Sequence, residues 1–272
     1  MAESLSERGS LPQGIPAQSV YADNDRQLKE RLQGLDEVAL RREYLAQGAF
    51  LYMPEFLPRA LTEQLVAAVA TVTPQINRNY IPGHKQGGSV SRHTIDALTP
   101  AIAELYRSPA LLDWLGALAG ERLQFSPAED PHAYALYFYT RSGDHIGWHY
   151  DTSYYVGRRY TLLLGVLDQS SCRLDYELHT REAGAAVRLG SLQIPPGGLV
   201  FFDGDKLRHR ITPLGKDEMR VSLTFEYVTD PAMHPWRRII SNVKDAVGYF
   251  GFRQVFRSAR QRRASEPDDA PE

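Results

Sequence analysis

The sequence contains a single cysteine, Cys172, so no intramolecular disulfide can staple the fold, which suits a reducing compartment. It contains no apolar run approaching the roughly 18 residues that cross a bilayer, and no membrane span is expected. It also lacks an excess of either charge: 31 Lys and Arg stand against 33 Asp and Glu, for a formal net charge of −2. Such a balance gives no bulk attraction to nucleic acid or to an anionic membrane. The opening residues, MAESLSERGSLPQGIPAQSV, lack the apolar centre of a signal peptide. The expectation is a cytoplasmic protein without nucleic-acid or membrane partners, its oligomeric state left open. What the sequence does have is 43% hydrophobic residues over 272 positions, enough to bury a sizeable core.

Residues 1–20 and 258–272 are rich in Ser, Pro, Gly and charge and are expected to be disordered. The basic cluster Arg257, Arg260, Arg262 and Arg263 reads as a solvated helix end, because no aromatic residue follows Phe256. Between the tails, one domain over 21–257 is expected: helical over 21–125, a β core over 130–229 and a closing helix over 235–257. Leu28, Leu32, Leu35 and Val38 form a helical stripe. RALTEQLVAAVATV is a second helix, and residues 99–119 hold one or two more, broken near Pro109 with Ser108 as a cap. Residues 77–93 are polar and Gly-rich and read as a long loop, which in a compact domain suggests a lid or binding loop. After residue 130 come short strands, AYALYFYT, RYTLLLGVL, AAVRLGSLQI, GGLVFFDG, LRHRITP and MRVSLTFEYV, separated by turn signals such as PPGG and DGDK. That texture favours a sandwich or barrel over a doubly wound sheet.

His149-Tyr150-Asp151 places an imidazole and a carboxylate two positions apart, and in a strand those side chains share a face. The pair suits a borderline metal but is weak evidence alone. His209, in a strand after the DGDK turn, is the candidate third ligand. The next strand alternates: Arg220, Ser222, Thr224 and Glu226 on one face, Val221, Leu223, Phe225 and Tyr227 on the other. Four polar residues do not face a solid core, but they can line a wet cavity, and an Arg inside a barrel calls for an anion such as a carboxylate.

On these residues the sequence resembles the iron(II)/2-oxoglutarate-dependent dioxygenases. The matching pieces are His149, Asp151 and His209 as the metal triad, and Arg220, eleven residues after His209, with Ser222 as an Arg-x-Ser. Tyr139, ten residues before His149, and the following Thr-Arg-Ser-Gly resemble the prolyl-hydroxylase-like branch. The resemblance covers about residues 130–229. It implies an α+β protein with a mainly β core, a double-stranded β-helix (jelly roll, cupin-like), flanked by helices. It implies Fe(II) held by His149, Asp151 and His209, with 2-oxoglutarate and O₂ as co-substrates. The 2-oxoglutarate would be bound by Arg220, Tyr139, Ser222 and Thr224. In that family, halogenases carry a small residue in place of the acidic ligand; this chain keeps Asp151, so hydroxylation with release of succinate and CO₂ is the expectation.

A small polar metabolite, such as an amino acid or a derivative, is the expected substrate. Tyr154, Tyr155, His84 and Arg92 are candidate contacts, with the 77–93 loop, including Arg78, Lys85 and His93, closing over it. His145, Asp203 and Asp205 are assigned to turns, Trp148 and Tyr150 to core packing, and His132, His179 and His234 have no partner at ligand spacing. Two other readings stand beside this one: a protein side-chain hydroxylase, and a non-enzymatic cupin-like binding protein, which would have no need of Arg220.

Overall fold

In the computed structural model, residues 17–128 and 130–232 are described; the expected closing helix, both tails beyond this range and His234 lie outside it. Helix α1 (Ala17–Gln33) begins inside the stretch expected to be disordered. The stripe from Leu28 to Val38 runs over two helices, because Asp36 turns the chain and caps α2 (Glu37–Ala46), accepting from Ala39 N at 2.9 Å. Strand β1 (Phe50–Met53) and helix α3 (Arg59–Val72) follow. Helices α4 (Arg92–Leu98), α5 (Pro100–Tyr106) and α6 (Pro109–Ala119) come after a hairpin; Ser108 caps α6 through Leu111 N, and Gly120 ends it at φ 71°.

That hairpin corrects the 77–93 loop. Strands β2 (Asn77–Ile81) and β3 (Lys85–Ser91) pair with each other, and β3 is built into the main sheet between two further strands. Its glycines are there for close approach rather than mobility. A Cβ on Gly88 would lie 2.5 Å from Ile76 Cγ2 and 3.3 Å from Phe138 Cβ. Gly83, at φ 69°, supplies the left-handed turn residue.

The remaining strands are β4 (Gln124–Phe125), β5 (Tyr134–Tyr139), β6 (His145–His149), β7 (Arg159–Gln169), β8 (Leu174–Leu178), β9 (Arg188–Leu192), β10 (Leu199–Asp203), β11 (Arg208–Ile211) and β12 (Met219–Val228). The order across the antiparallel sheet is β1-β10-β7-β12-β5-β3-β6-β11-β8-β9, with β2 on β3 and β4 on β12. The sheet curls until its two ends meet: Phe50 of β1 stacks on Tyr176 of β8 with ring centroids 4.5 Å apart, and Phe202 of β10 meets His209 of β11 at 5.0 Å. One core packs the helices against the outer face of β7, β12 and β5; a second, with Phe50, Leu163, Leu174, Phe202 and Ile211, fills the inside of the curl. Alternation along each strand feeds the two cores.

The turn between β5 and β6 is pinned by Asp144, whose side chain is fully buried. It accepts from the backbone N–H of Thr140 (2.9 Å) and Arg141 (3.0 Å) and from Arg78 Nη1 (2.8 Å) and Nη2 (2.5 Å). Burial alone would raise its pKa; Arg78 and the two amides outweigh burial and hold it below the usual carboxylate value. Its contribution is therefore present above the pKa of an unfolded Asp and is lost as pH falls through the depressed folded value. Asp144→Ala, which strands Arg78 and both amides, is expected to cost about 3 kcal/mol, read as a lowered urea midpoint at neutral pH.

Candidate active site

Strands β6 and β11 are neighbours, and their register sets His149 opposite His209. The two rings lie with centroids 4.1 Å apart. His149 Nδ1 is 2.8 Å from Gly147 O, and His209 Nδ1 is 3.4 Å from Leu207 O. A carbonyl oxygen can only accept, so in each ring Nδ1 carries the proton and Nε2 presents its lone pair. Both Nε2 atoms face Asp151: His149 Nε2 is 3.5 Å from Oδ1 and His209 Nε2 is 3.9 Å from Oδ2. The ligand atoms of the three residues lie within 4.8 Å of one another, a group able to hold a metal ion. Asp151 does not sit in a strand as its spacing suggests; β6 ends at His149, and Asp151 follows in irregular chain.

The protonation states suit a metal. Burial pushes the His209 imidazole down to about 4, helped by His149 and opposed by Asp151. Asp151 is held well below the usual carboxylate range: burial would raise it, but His209, His149 and Arg159 outweigh burial. A neutral His209 imidazole beside an ionised carboxylate gives ligand forms that a divalent cation requires.

The triad opens into a cavity of about 210 Å³, sized for small molecules. Tyr139, Ser222, Thr224, Tyr154 and His84 line it, as their sequence positions suggest. Tyr155 and Arg92 lie off the lining. Tyr155 is buried with its hydroxyl on Asp130, and Arg92 is buried at the start of α4, reaching Pro127 O at 3.1 Å with its guanidinium over the Tyr134 ring. Asp203 serves its turn, accepting from Asp205 N at 3.0 Å. Trp148 is stacked against Arg208 and Arg210 away from the cavity, whereas Tyr150, assigned to packing, lines it.

Sequence reasoning missed a second polar group in the lining: His132, Tyr137, Arg159 and Thr161. Arg159 grips Glu226 through Nε (2.6 Å to Oε2) and Nη2 (2.5 Å to Oε1). Burial pushes the Glu226 carboxyl up to about 7, although Arg159 pulls the other way. The signal existed in RYTLLLGVL, where Arg159, Thr161 and Leu163 alternate onto one face just as the β12 residues do.

Arg220 is two residues beyond Ser222 on the same face of β12 and is 2% exposed, yet it is not among the lining side chains. Its guanidinium carbon is 5.7 Å from the centre of the Tyr139 ring. Neither Nη1 nor Nη2 has a hydrogen-bond partner among the described residues, and Asp168, its Cα partner across β7, forms no ion pair with it. A buried cation with two parallel donors left open fits a planar carboxylate brought by a ligand. A 2-oxoglutarate carboxylate meets that requirement, and the two imidazoles and one carboxylate of His149, His209 and Asp151 form a donor set that suits iron.

Several solved structures share this fold. The non-haem α-ketoglutarate-dependent epimerase SnoN of nogalamycin biosynthesis aligns with a TM-score of 0.57 and 14% identity, over 70% of this chain and 81% of that one. A prolyl hydroxylase from Trichoplax adhaerens, solved with a hypoxia inducible factor peptide fragment, aligns with a TM-score of 0.57 and 13% identity, over 79% and 96%. AviO1 from Streptomyces viridochromogenes Tue57 aligns at 0.56 and 18%, over 74% and 98%. The fold these structures share with this chain is the double-stranded β-helix. SnoN has also been solved on this fold with Fe3+, α-ketoglutarate and nogalamycin RO. Residues 35–156, which include His149 and Asp151 but stop short of His209 and Arg220, match the family described as Halogenase D. No curated protein sequence gives a significant match. No helix among the described residues is long and apolar enough to cross a membrane.

Proposed function

We propose that the chain is an iron(II)- and 2-oxoglutarate-dependent oxygenase that hydroxylates a small polar metabolite such as an amino acid or a derivative. The observation that carries the reading is Arg220, a buried guanidinium with two open donors, inside the same curled sheet as the His149–Asp151–His209 group. His149, Asp151 and His209 hold the metal. Arg220 anchors the distal carboxylate of 2-oxoglutarate by a charge-assisted fork, and Ser222 and Tyr139, beside it, add neutral hydrogen bonds. Bound iron(II) supplies O₂ activation coupled to the decarboxylation of 2-oxoglutarate to succinate and CO₂. The walls formed by Ile146, Leu163 and Tyr137 limit water, and the small cavity admits a compact substrate or one side chain.

His84, His132 and Tyr154 face the cavity and supply hydrogen-bonding groups to a polar substrate, and Thr224, also in the lining, serves 2-oxoglutarate with Ser222. His84 comes from the turn of the β2–β3 hairpin, and that hairpin is paired into the sheet, so this side of the site is a strand-held wall. Asp151 is what favours hydroxylation over halogenation, since a carboxylate stands where a halide would need room. The test is succinate formation by purified protein with iron(II), 2-oxoglutarate and a panel of amino acids, their derivatives and short peptides. Stimulation by a free amino acid or derivative supports the reading. Stimulation by peptides alone overturns the small-molecule assignment, and absence of 2-oxoglutarate binding overturns the whole reading.

A further inference from the structure

Asp151 is the ligand that the sheet does not hold. His149 and His209 are fixed by paired strands, whereas Asp151 lies past the end of β6. Its main chain is constrained by the turn after β10: a Cβ on Gly204 would lie 2.4 Å from Asp151 O. Its carboxylate needs a separate constraint, because two oxygens on a free rotor can both turn toward a cation.

Thr161 is placed to supply it. This residue is 1% exposed, and its Oγ1 lies 3.0 Å from Asp151 Oδ2. The same Oγ1 lies 3.1 Å from Glu226 Oε2. A hydroxyl has one proton, so it serves one of these carboxylates at a time. Arg159 decides which. It engages both oxygens of Glu226 in a charge-assisted pair, while Asp151 Oδ2 has no guanidinium on it, so the Thr161 proton goes to Asp151. The sheet register builds the chain of contacts: Thr161 is the Cα partner of Glu226 across β7 and β12, and Arg159 is two residues earlier on the same face.

We propose that Thr161, set by the Arg159–Glu226 pair, is a positioning residue that keeps Asp151 Oδ2 engaged by the protein, so that only Oδ1 is offered to the metal. This rests on the oxygenase reading above. Its consequence is that positions on the metal stay open for the chelating end of 2-oxoglutarate. Without the hydroxyl, Asp151 can present both oxygens and compete with that chelation.

The experiment uses the full chain loaded with Co(II), a spectroscopic substitute for iron(II), and compares wild type with Thr161→Val and Thr161→Ser. Thr161→Val keeps the shape and loses the proton donor. It is expected to retain Co(II), to alter the visible spectrum of the Co(II) form, and to bind 2-oxoglutarate about 10–100-fold more weakly. Glutarate lacks the keto group and cannot chelate in the same way, so its affinity is expected to stay unchanged. Thr161→Ser should restore the wild-type spectrum and 2-oxoglutarate affinity, which a merely structural role for the methyl group would not do. A Thr161→Val protein with wild-type spectrum and 2-oxoglutarate affinity overturns the proposal. Should that variant not fold, a crystal structure of the wild-type Co(II) form decides: Asp151 bound through both oxygens overturns it, and Oδ2 resting on Thr161 supports it. Failure of wild type to bind Co(II) at all overturns the oxygenase reading itself, a result distinct from either of these.

Discussion

His149→Ala and His209→Ala are each expected to abolish iron(II) binding in the working range, and with it all 2-oxoglutarate turnover. Each change removes one of three ligands, leaving a site with one imidazole and one carboxylate. Loss of a mere outer partner of a ligand typically weakens metal binding by roughly 10–100-fold, so loss of a ligand should exceed that range. The two variants should differ in the folded protein that remains. His209 is buried among Phe202 and the inner core, and its replacement opens a cavity; His149 is partly exposed. His209→Ala should therefore also lower the melting temperature of the metal-free protein, whereas His149→Ala should leave it near wild type. Asp151→Gly is a milder case: two imidazoles remain opposite one another, so weak metal binding should persist while hydroxylation is lost. Metal titration followed by Co(II) absorption checks all three, and undiminished binding in either histidine variant would place the metal elsewhere.

The parts of this site that were legible in the sequence are those fixed by strand periodicity. Alternation in MRVSLTFEYV separates Arg220, Ser222, Thr224 and Glu226 from the apolar face; β12 brings Ser222, Thr224 and Glu226 to the cavity, while Arg220 is buried outside its lining. His149 and His209 were legible as strand residues, but their pairing was not, since nothing local fixes which two strands become neighbours. Asp151 illustrates a coincidence: spacing suited a strand, yet the carboxylate arrives through irregular chain and needs Thr161 and Gly204 to hold it. The 77–93 segment misled because glycine has two uses. Gly87 and Gly88 look like flexibility in one dimension, but in three they let β3 lie against β5 and Ile76. Asp144 and Arg78, 66 residues apart, form a partly buried ion pair that no window of sequence contains.

Arg220→Met is expected to have opposite effects on the protein with and without 2-oxoglutarate. In the ligand-free protein the guanidinium is 2% exposed and both terminal nitrogens lack partners, so its charge is desolvated without compensation. Such a cost runs to several kcal/mol for a buried ion, reduced by relaxation and by the nearby Tyr139 ring. Methionine fills similar space without a charge, and the ligand-free variant should melt at a higher temperature than wild type. Adding 2-oxoglutarate reverses the order. The wild-type protein gains a bidentate contact worth about 2–4 kcal/mol when buried, so the variant should bind 2-oxoglutarate roughly 30–1000-fold more weakly at unchanged iron affinity. Saturating co-substrate stabilises a protein in proportion to the logarithm of its concentration over Kd, so wild type should then melt higher than Arg220→Met. Ser222→Ala should cost only a neutral hydrogen bond, about 1 kcal/mol, and leave the ligand-free melting temperature nearly unchanged. Differential scanning calorimetry across a 2-oxoglutarate titration measures the crossover directly. If the variant is less stable than wild type in both conditions, Arg220 is a structural cation with a partner in the protein, and the carboxylate anchor must be sought at another residue.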